Sequence, residues 1–287
     1  MSNRISDNRI PSSDGLSISP FLRWPGGKRW LTPILREELQ GYISSSRKYF
    51  EPFLGGGALF FGMAEIPSLL ADINFDLVNV YIQVRDNPNK LIKELKKLQV
   101  TKENYYKLRD TCFKSSLSMA VRFLFLNRTS FSGLYRINRE GKFNVPFGGG
   151  DRTHEVLWRD GLIVKASRAL QRAEVICADF EETISMAKER DIVYCDPTYT
   201  VKHNNNGFRR YNERVFSWND QERLAQSCRL AVKRGALVLV SNAYHEEVRR
   251  LYPSFRTRLV KRLSRLSAKP QFRCWADEYL LIGSPNY

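Results

Sequence analysis

Histidine is scarce in this sequence: three residues in 287, His154, His203 and His245, all far apart. The five cysteines, Cys112, Cys177, Cys195, Cys228 and Cys274, are odd in number and never spaced C-x-x-C. These shortages argue against a disulfide framework, a zinc ribbon and a His-built metal centre. No metal is therefore expected, and reduced thiols in a cytoplasm are the simple reading. Nowhere do about 18 to 20 apolar residues follow one another, as a membrane span requires, and no apolar signal stretch opens the chain. A soluble protein with no membrane partner is expected. Acids are outnumbered too: 30 Asp and Glu against 46 Lys and Arg leave a formal charge of +16.

With 43% hydrophobic and 12% aromatic residues the chain can bury a core, and its length suits one large or two modest domains. On a folded chain such a surplus of positive charge favours a polyanionic partner, nucleic acid ahead of an anionic membrane or an acidic protein. Charge alone does not choose among them.

Residues 1–18 are polar, rich in Ser and Asn and broken by Pro11 and Gly15, and read as a flexible leader. Beyond them, three short apolar runs each end in aspartate: Ser68 to Asp72, Val175 to Asp179 and Asp191 to Asp196. Such runs read as buried strands of a parallel sheet, and Lys48 to Glu51 and Gly235 to Val240 join them. Between them, Asp220 to Arg234 reads as a crossover helix with Leu224, Leu230 and Ala231 inward. An α/β fold follows. In an open α/β sheet ligands bind beyond the carboxyl ends of the strands, so acids at those ends are candidate ligand contacts. From 86 to 174 the pattern changes. Asp86 to Leu98, Lys102 to Phe113 and Ser116 to Leu126 look helical, and Leu134 to Val145 alternates like a hairpin turning near Gly141. A mainly helical unit, 86–174, is thus expected as an insertion between sheet segments 19–85 and 175–287.

Glu51-Pro-Phe-Leu-Gly-Gly-Gly-Ala58 follows a strand, and its glycines let backbone approach a ligand closely. It is not a dinucleotide fingerprint, because Phe60 takes the third glycine's place. Asp72, ending the next strand, suits ribose hydroxyls, so a nucleoside-containing cofactor is favoured over a tight turn alone. Arg23-Trp-Pro-Gly-Gly-Lys28 fails as a phosphate loop, since Leu22 and Arg29 stand where Gly and Ser or Thr are needed. In Asp196-Pro-Thr-Tyr199 the carboxylate and the Pro197 carbonyl can accept from an exocyclic amino group while Tyr199 stacks on its ring, as a flipped base requires. An ordinary Pro turn with a core tyrosine explains that tetrapeptide equally well when it is taken alone.

Together these segments resemble the Dam-type DNA adenine methyltransferases, which use S-adenosylmethionine. Phe21 to Lys28 resembles the family's F-x-K/R-W-x-G-G-K motif, Glu51 to Ala58 its E-P-F-x-G-G-G-A loop, and Ala71 to Asn79 its next strand. Asn127 to Phe147 is similar to N-R-x-x-x-x-G-L-x-R-x-N-x-x-G-x-F-N-V-P-F, Asp179-Phe180 to the adenine-contacting D-F pair, and Asp196 to Tyr199 to the catalytic D-P-P-Y. Phe208, Tyr211, Phe216, Asp220-Gln221 and Ser241-Asn242 follow in the family's order, so the likeness spans about residues 20–283.

The resemblance implies a Rossmann-like methyltransferase sheet with an inserted target-recognition domain. It implies that Phe21, Trp24 and Lys28 belong to the S-adenosylmethionine pocket, that Phe53, Gly55 and Gly57 shape it, and that Asp72 holds the ribose. Asp179 and Phe180 would bind the cofactor's adenine; Asp196, Pro197 and Tyr199 would hold the target adenine, with Asp196 also beside the cofactor. Arg136 would fork to a guanine edge and Leu134 or Pro146 would touch a thymine methyl in the major groove. Arg128 and Lys142 would meet phosphates and Phe131 would wedge into the vacated stack, with Arg23, Ser132 and Asn138 completing the duplex-DNA contacts. The family's commonest target, GATC, is the expected site. A DNA-associated cytoplasmic monomer is implied, working alone or beside a restriction endonuclease.

The chain departs from the family at Thr198, which replaces the second proline of D-P-P-Y, relaxes Pro197 and adds an N–H and a hydroxyl. Retained activity is the expectation; a silent DNA-binding relative, or an enzyme with another target base, is the alternative. Arg249, Arg250, Arg256, Arg258, Lys261, Arg262, Arg265, Lys269 and Arg273 occur with no acid between 248 and 276, and some are expected along the DNA backbone. Ser264 to Gln271 reads as a loop.

Overall fold

The computed structural model describes residues 18–63, 66–138, 140–149, 160–199, 216–263 and 275–285. Its seven strands are β1 (Tyr49–Glu51), β2 (Ser68–Asp72), β3 (Ala173–Cys177), β4 (Ile192–Cys195), β5 (Leu237–Ala243), β6 (Arg256–Leu263) and β7 (Trp275–Gly283). They form one sheet in the order β3-β2-β1-β4-β5-β7-β6. The first five strands pair in parallel, and β7 runs antiparallel between β5 and β6.

β1, β4 and nearly all of β2 and β5 are buried, as expected of parallel strands covered on both faces. β3 alternates buried and exposed residues because it is the edge of the sheet. The chain steps outward from β1 through β2 to β3, then returns to lay β4 against the other side of β1. The β1/β4 junction is therefore the point where strand order reverses, and ligands in such sheets bind beyond the carboxyl ends there. Glu51 and Asp196 stand at those two ends. This is the Rossmann-like sheet that the resemblance implies.

Helices cover both faces. Tyr49, Leu70, Ile192, Tyr194 and Leu239 point into one core layer, and their neighbours Phe50, Leu69, Val193, Cys195 and Val240 into the other. The first layer is closed by α1 (Thr32–Leu39), α2 (Phe75–Asp86), α3 (Pro88–Lys96), α4 (Lys102–Asp110), α5 (Ser116–Thr129) and α6 (Asp160–Leu170). Leu91, Leu95, Tyr105 and Phe125 from the predicted insertion share that layer with Leu70 of β2. The second is closed by α7 (Phe180–Ser185), α8 (Trp218–Lys233) and α9 (Glu246–Arg250).

Capping chemistry moves several predicted boundaries. The helix expected from Asp86 starts at Pro88, because Asn87 (φ −130°) ends α2 and proline suits a first helical position. The one expected to reach Phe113 stops at Asp110, where Thr111 turns extended, while α5 runs on to Thr129. α8 begins at Trp218 because Ser217 and Asp220 form a reciprocal capping box. Leu224 and Ala231 face the core as predicted, but Leu230 is 46% exposed. At about 100° per residue, positions 224 and 231 share a face and 230 lies well around from it. The second acid-ended strand stops at Cys177, and Asp179 instead caps α7, accepting from the Glu181 N–H at 2.9 Å.

Candidate active site and recognition ribbon

Two predicted acids stand at the ends of their strands, and the glycine loop is tied to one of them. Asp72 Oδ2 accepts the Gly55 N–H and Oδ1 the Asn74 N–H, both at 3.0 Å. Burial raises the pKa of this carboxyl, the backbone N–H groups of Asn74, Gly55 and Ile73 opposing the shift. Gly55 (φ 46°) and Gly57 (φ 62°) adopt left-handed backbone, and a Cβ on either would strike a neighbour, Trp24 Nε1 at 2.9 Å or Tyr81 OH at 2.8 Å. The loop thus needs glycine partly to seat Trp24, whose indole stacks on Tyr135 at 5.4 Å. Phe21 lies in the core behind the loop, edge-on to Tyr81 and Phe61. Sequence reasoning assigned no role to Glu51. It is fully buried, accepts from Tyr49 OH at 2.8 Å and Phe60 N–H at 3.1 Å, and burial with the nearby Asp196 charge lifts its pKa to about 8.

Beyond β4, four charged or phenolic groups converge. Lys28, 6% exposed, places Nζ 3.0 Å from Asp196 Oδ1, 3.1 Å from the Gly26 carbonyl and 3.8 Å from Glu278 Oε2. The ammonium also lies 4.7 Å from the Tyr199 ring centroid. Ser241 Oγ on β5 donates to the same Asp196 oxygen at 2.7 Å. Tyr199 donates its hydroxyl to Glu278 Oε2 at 2.8 Å, and burial keeps that phenol protonated by pushing its pKa well up. Asp196, Pro197, Tyr199 and Lys28, predicted from two distant segments, are thus brought together. Glu278 was missed, although strand alternation places it on the same face of β7 as the buried Leu280 and Ile282.

Around the second layer Phe53, Phe180 and Phe216 form an aromatic trio with centroids 5.4 to 5.6 Å apart. Asp179 keeps 39% of its side-chain exposure and pairs with Arg223 Nη2 at 3.0 Å. The same guanidinium binds Glu181 and Asp220 and lies 4.9 Å from the Phe180 ring centroid. Phe216 is the trio member whose place in the fold no local pattern revealed.

The predicted hairpin is present. Bridges Ser130↔Phe147 and Ile137↔Phe143 pair its arms, and it turns at Gly141 (φ 74°). Asn138 Oδ1 clamps the turn by accepting from the Glu140 and Lys142 N–H groups, each at 2.9 Å. Arg136 is exposed and held by Nε donation to Asn144 Oδ1 at 2.8 Å. Lys142 is exposed beside Glu140, Pro146 is exposed, Leu134 is half-buried, and Phe131 is 52% exposed. Ser132 (φ 55°) takes left-handed backbone in the short turn that presents Phe131, and Arg128 lies half-buried at the end of α5. The ribbon is fixed to the catalytic side through Asn127, whose amide accepts the Arg23 N–H at 3.0 Å and donates to the Arg23 carbonyl at 2.7 Å. The Arg23 side chain runs so close to Gly133 that a Cβ there would lie 2.6 Å from its Cδ.

Of the C-terminal basic residues, Arg256 and Arg258 are held by Glu38, and Arg258 also by Glu37, so α1 neutralises that end of β6. Arg250 pairs with Glu246. Phe208, Tyr211, Arg265, Lys269, Arg273, His154, His203, Cys274 and the leader through residue 17 lie outside the described residues. Among the described residues no helix is long and apolar enough to cross a membrane, and no group of three or more His, Cys, Asp and Glu is placed to hold a metal ion.

A profile of the family described as D12 class N6 adenine-specific DNA methyltransferase matches residues 24–266. A "DNA adenine methylase" of Vibrio cholerae is 35% identical over 273 residues, covering 93% of this chain and 96% of its own. The "Type II methyltransferase M.MjaIII" of Methanocaldococcus jannaschii is 31% identical over 284 residues, covering 92% and 96%. A "DNA adenine methylase" of Escherichia coli K12 is 30% identical over 272 residues, covering 93% and 95%. The profile spans both the acid-ended strands and the ribbon joined to them, and with relatives of this extent the chain belongs to the D12 class of N6 adenine-specific DNA methyltransferases.

Proposed function

We propose that this enzyme moves a methyl group from S-adenosylmethionine to the exocyclic amino nitrogen of an adenine flipped out of duplex DNA, with Asp196, Pro197 and Tyr199 holding the base. Family membership supplies the reaction class. The observation that carries the assignment of residues is the Asp196 carboxylate at the β1/β4 switch point, with Oδ1 held by Lys28 and Ser241 and Oδ2 left to accept from substrate.

The cofactor fits the residues present. Asp72 turns both oxygens to backbone N–H groups, and a carboxylate with about four acceptor positions still retains capacity for a ribose hydroxyl. Ile73 and Phe75, directly after it, are 71% and 60% exposed, an uncovered apolar rim beside an acid that suits the flat face of a heterocycle. Asp179 and the N–H of Phe180, in the unsatisfied first turn of α7, offer an acceptor and a donor to an adenine edge. When bound, S-adenosylmethionine supplies an electrophilic methyl sulfonium. An adenine amino nitrogen is a poor nucleophile because its lone pair is delocalised into the ring. Acceptance of its two hydrogens by Asp196 Oδ2 and the Pro197 carbonyl favours a pyramidal nitrogen whose lone pair leaves the ring. Tyr199 stacks on the extruded base and offsets part of the few kcal/mol that unstacking costs. The rest of the rate comes from orientation and from a preorganised, water-poor site.

Residues 86–174 form the target-recognition part on this reading, and residues 19–85 with 175–287 the catalytic part. Arg136, Leu134 and Pro146 face the major groove, Arg128, Lys142 and Arg23 the phosphates, and Phe131 the gap left by the flipped base. GATC is the first site to test. Thr198 leaves the Asp196 and Tyr199 contacts in place, which favours a working catalytic loop. The decisive experiment incubates the protein with unmethylated duplex DNA and S-adenosylmethionine and analyses nucleosides by mass spectrometry. N6-methyladenine is expected; its absence alongside tight DNA binding would overturn the proposal.

A further inference from the structure

Burying a carboxylate is costly unless it is partnered. Glu278 is 2% exposed on β7, opposite Ala243 of β5 and Val260 of β6, in an alternation otherwise continued by Leu280 and Ile282. The sheet itself makes no use of a charge there. Two partners of Glu278 Oε2 come from distant segments of the candidate site: the Tyr199 hydroxyl at 2.8 Å and Lys28 Nζ at 3.8 Å. Lys28 in turn reaches Asp196 at 3.0 Å and lies over the Tyr199 ring, closing a circuit around the place assigned to the target base.

We propose that Glu278 is a positioning residue, anchoring the Tyr199 ring and dividing the Lys28 charge between itself and Asp196. The proposal rests on the methyl-transfer reading given above. Tyr199 belongs to an irregular segment after β4, whereas β7 is hydrogen-bonded on both sides along most of its length. Tying the phenol to β7 therefore fixes the far end of a ring whose near end is a loop backbone. Dividing the ammonium matters separately. With Glu278 neutral, the full Lys28 charge falls on Asp196, and a carboxylate so paired is a weaker acceptor for an amino group.

The test uses Glu278→Gln, Tyr199→Phe and the double variant of the full chain, assayed on a duplex containing the site the wild type methylates. A second duplex carries 2-aminopurine at the target adenine. Each single variant is expected to lower kcat roughly ten- to a hundredfold, the usual result of slight misplacement, with KM for S-adenosylmethionine changed less than about threefold. Emission from the flipped 2-aminopurine is expected to rise in Glu278→Gln as stacking on Tyr199 loosens. Because both substitutions act on one contact, Tyr199→Phe by removing its donor and Glu278→Gln by exchanging its charged acceptor for a weaker neutral amide oxygen, the double variant is expected to lose little beyond the worse single. Wild-type kcat and emission in Glu278→Gln, or losses that simply add, would overturn the positioning role. Should Glu278→Gln fail to fold by thermal melting, Tyr199→Phe removes the same contact without touching β7, and wild-type kcat in that variant is equally fatal. A wild-type protein that forms no methyladenine overturns both readings; an active one with an indifferent Glu278 overturns this one alone.

Discussion

Asp196 receives two donors on a single oxygen, from Lys28 and from Ser241, so its orientation is fixed before any substrate arrives. Asp196→Ala removes the acceptor and leaves Lys28 with Glu278 as its remaining carboxylate partner. Methyl transfer is expected to fall by about a thousandfold or more, as when a preorganised polar contact to the reacting group is lost, while DNA affinity in a gel shift stays near wild type. A variant with full activity would refute the assigned role. Glu51 shows the opposite use of a buried acid. Its pKa of about 8, against 4.5 for an ordinary glutamate, means that the folded chain keeps a proton the unfolded chain has released between those values. The stability this neutral form permits is fully present below pH 4.5 and is lost as pH rises through 8. Glu51→Gln is therefore expected to flatten the decline in Tm between about pH 5.5 and 8.5; a parallel decline in both proteins would remove Glu51 as its cause. Reading along the chain singled out Asp196 and Tyr199 because local chemistry marks them. It missed the neutral state of Glu51, which comes from burial and the nearby Asp196 charge against the opposing hydrogen bonds from Tyr49 and Phe60, and three-dimensional enclosure has no local signature.

Among the elements, α5 and the hairpin after it are joined to the segment that carries Trp24 and Lys28. Asn127, at 0% exposure, bonds both the N–H and the carbonyl of Arg23, in the same short segment that carries Trp24 and Lys28. Asn127→Ala leaves two backbone groups short of partners, and a loss of about 1 to 3 kcal/mol in unfolding free energy is expected from denaturant titration. Stability equal to wild type would show that the segment holds without it. The hairpin carries the specificity prediction. Arg136→Ala is expected to relax discrimination at a single base pair by about 1 to 3 kcal/mol if the guanidinium forks to a guanine edge. Equal weakening on every sequence would identify a phosphate contact instead. The hairpin and its turn at Gly141 were legible because alternation and glycine mark them directly. Helix starts were less so: α8 begins two residues early through a Ser217–Asp220 exchange, and α3 waits for Pro88. Leu230, expected inward, is 46% exposed, because periodicity counted from Leu224 puts it outside.

At the scale of the molecule, the α/β class and the candidate site beyond the strand ends followed from acid-terminated apolar runs, since parallel strands are buried on both faces. The order of the strands did not, because pairing partners are set by packing over long separations rather than by any one run. Charge shows the same division. The surplus of +16 marks a polyanion partner, and sequence density points to the C-terminal segment as part of the grip. The fold redistributes it. Arg256 and Arg258 are engaged by Glu37 and Glu38 of α1, and Glu38 has only 11% of its side chain exposed, with the two arginines pulling its pKa below the usual range against the opposing effect of burial. These pairs join α1 to the β6 edge, and releasing them to phosphates would leave a half-sequestered carboxylate without its cations. Lys142, 76% exposed with only an equally exposed Glu140 beside it, is free to exchange partners at little cost. Affinity for duplex DNA is expected to fall linearly with log salt, with a slope of about −0.9 for each phosphate neutralised. Replacing Arg256 and Arg258 together by Gln should leave that slope unchanged within about half a unit and lower Tm instead, whereas Lys142→Gln should reduce it by about one. A slope that drops by about two in the double variant would place both arginines on DNA, and would mean that the contacts to α1 open when the duplex binds.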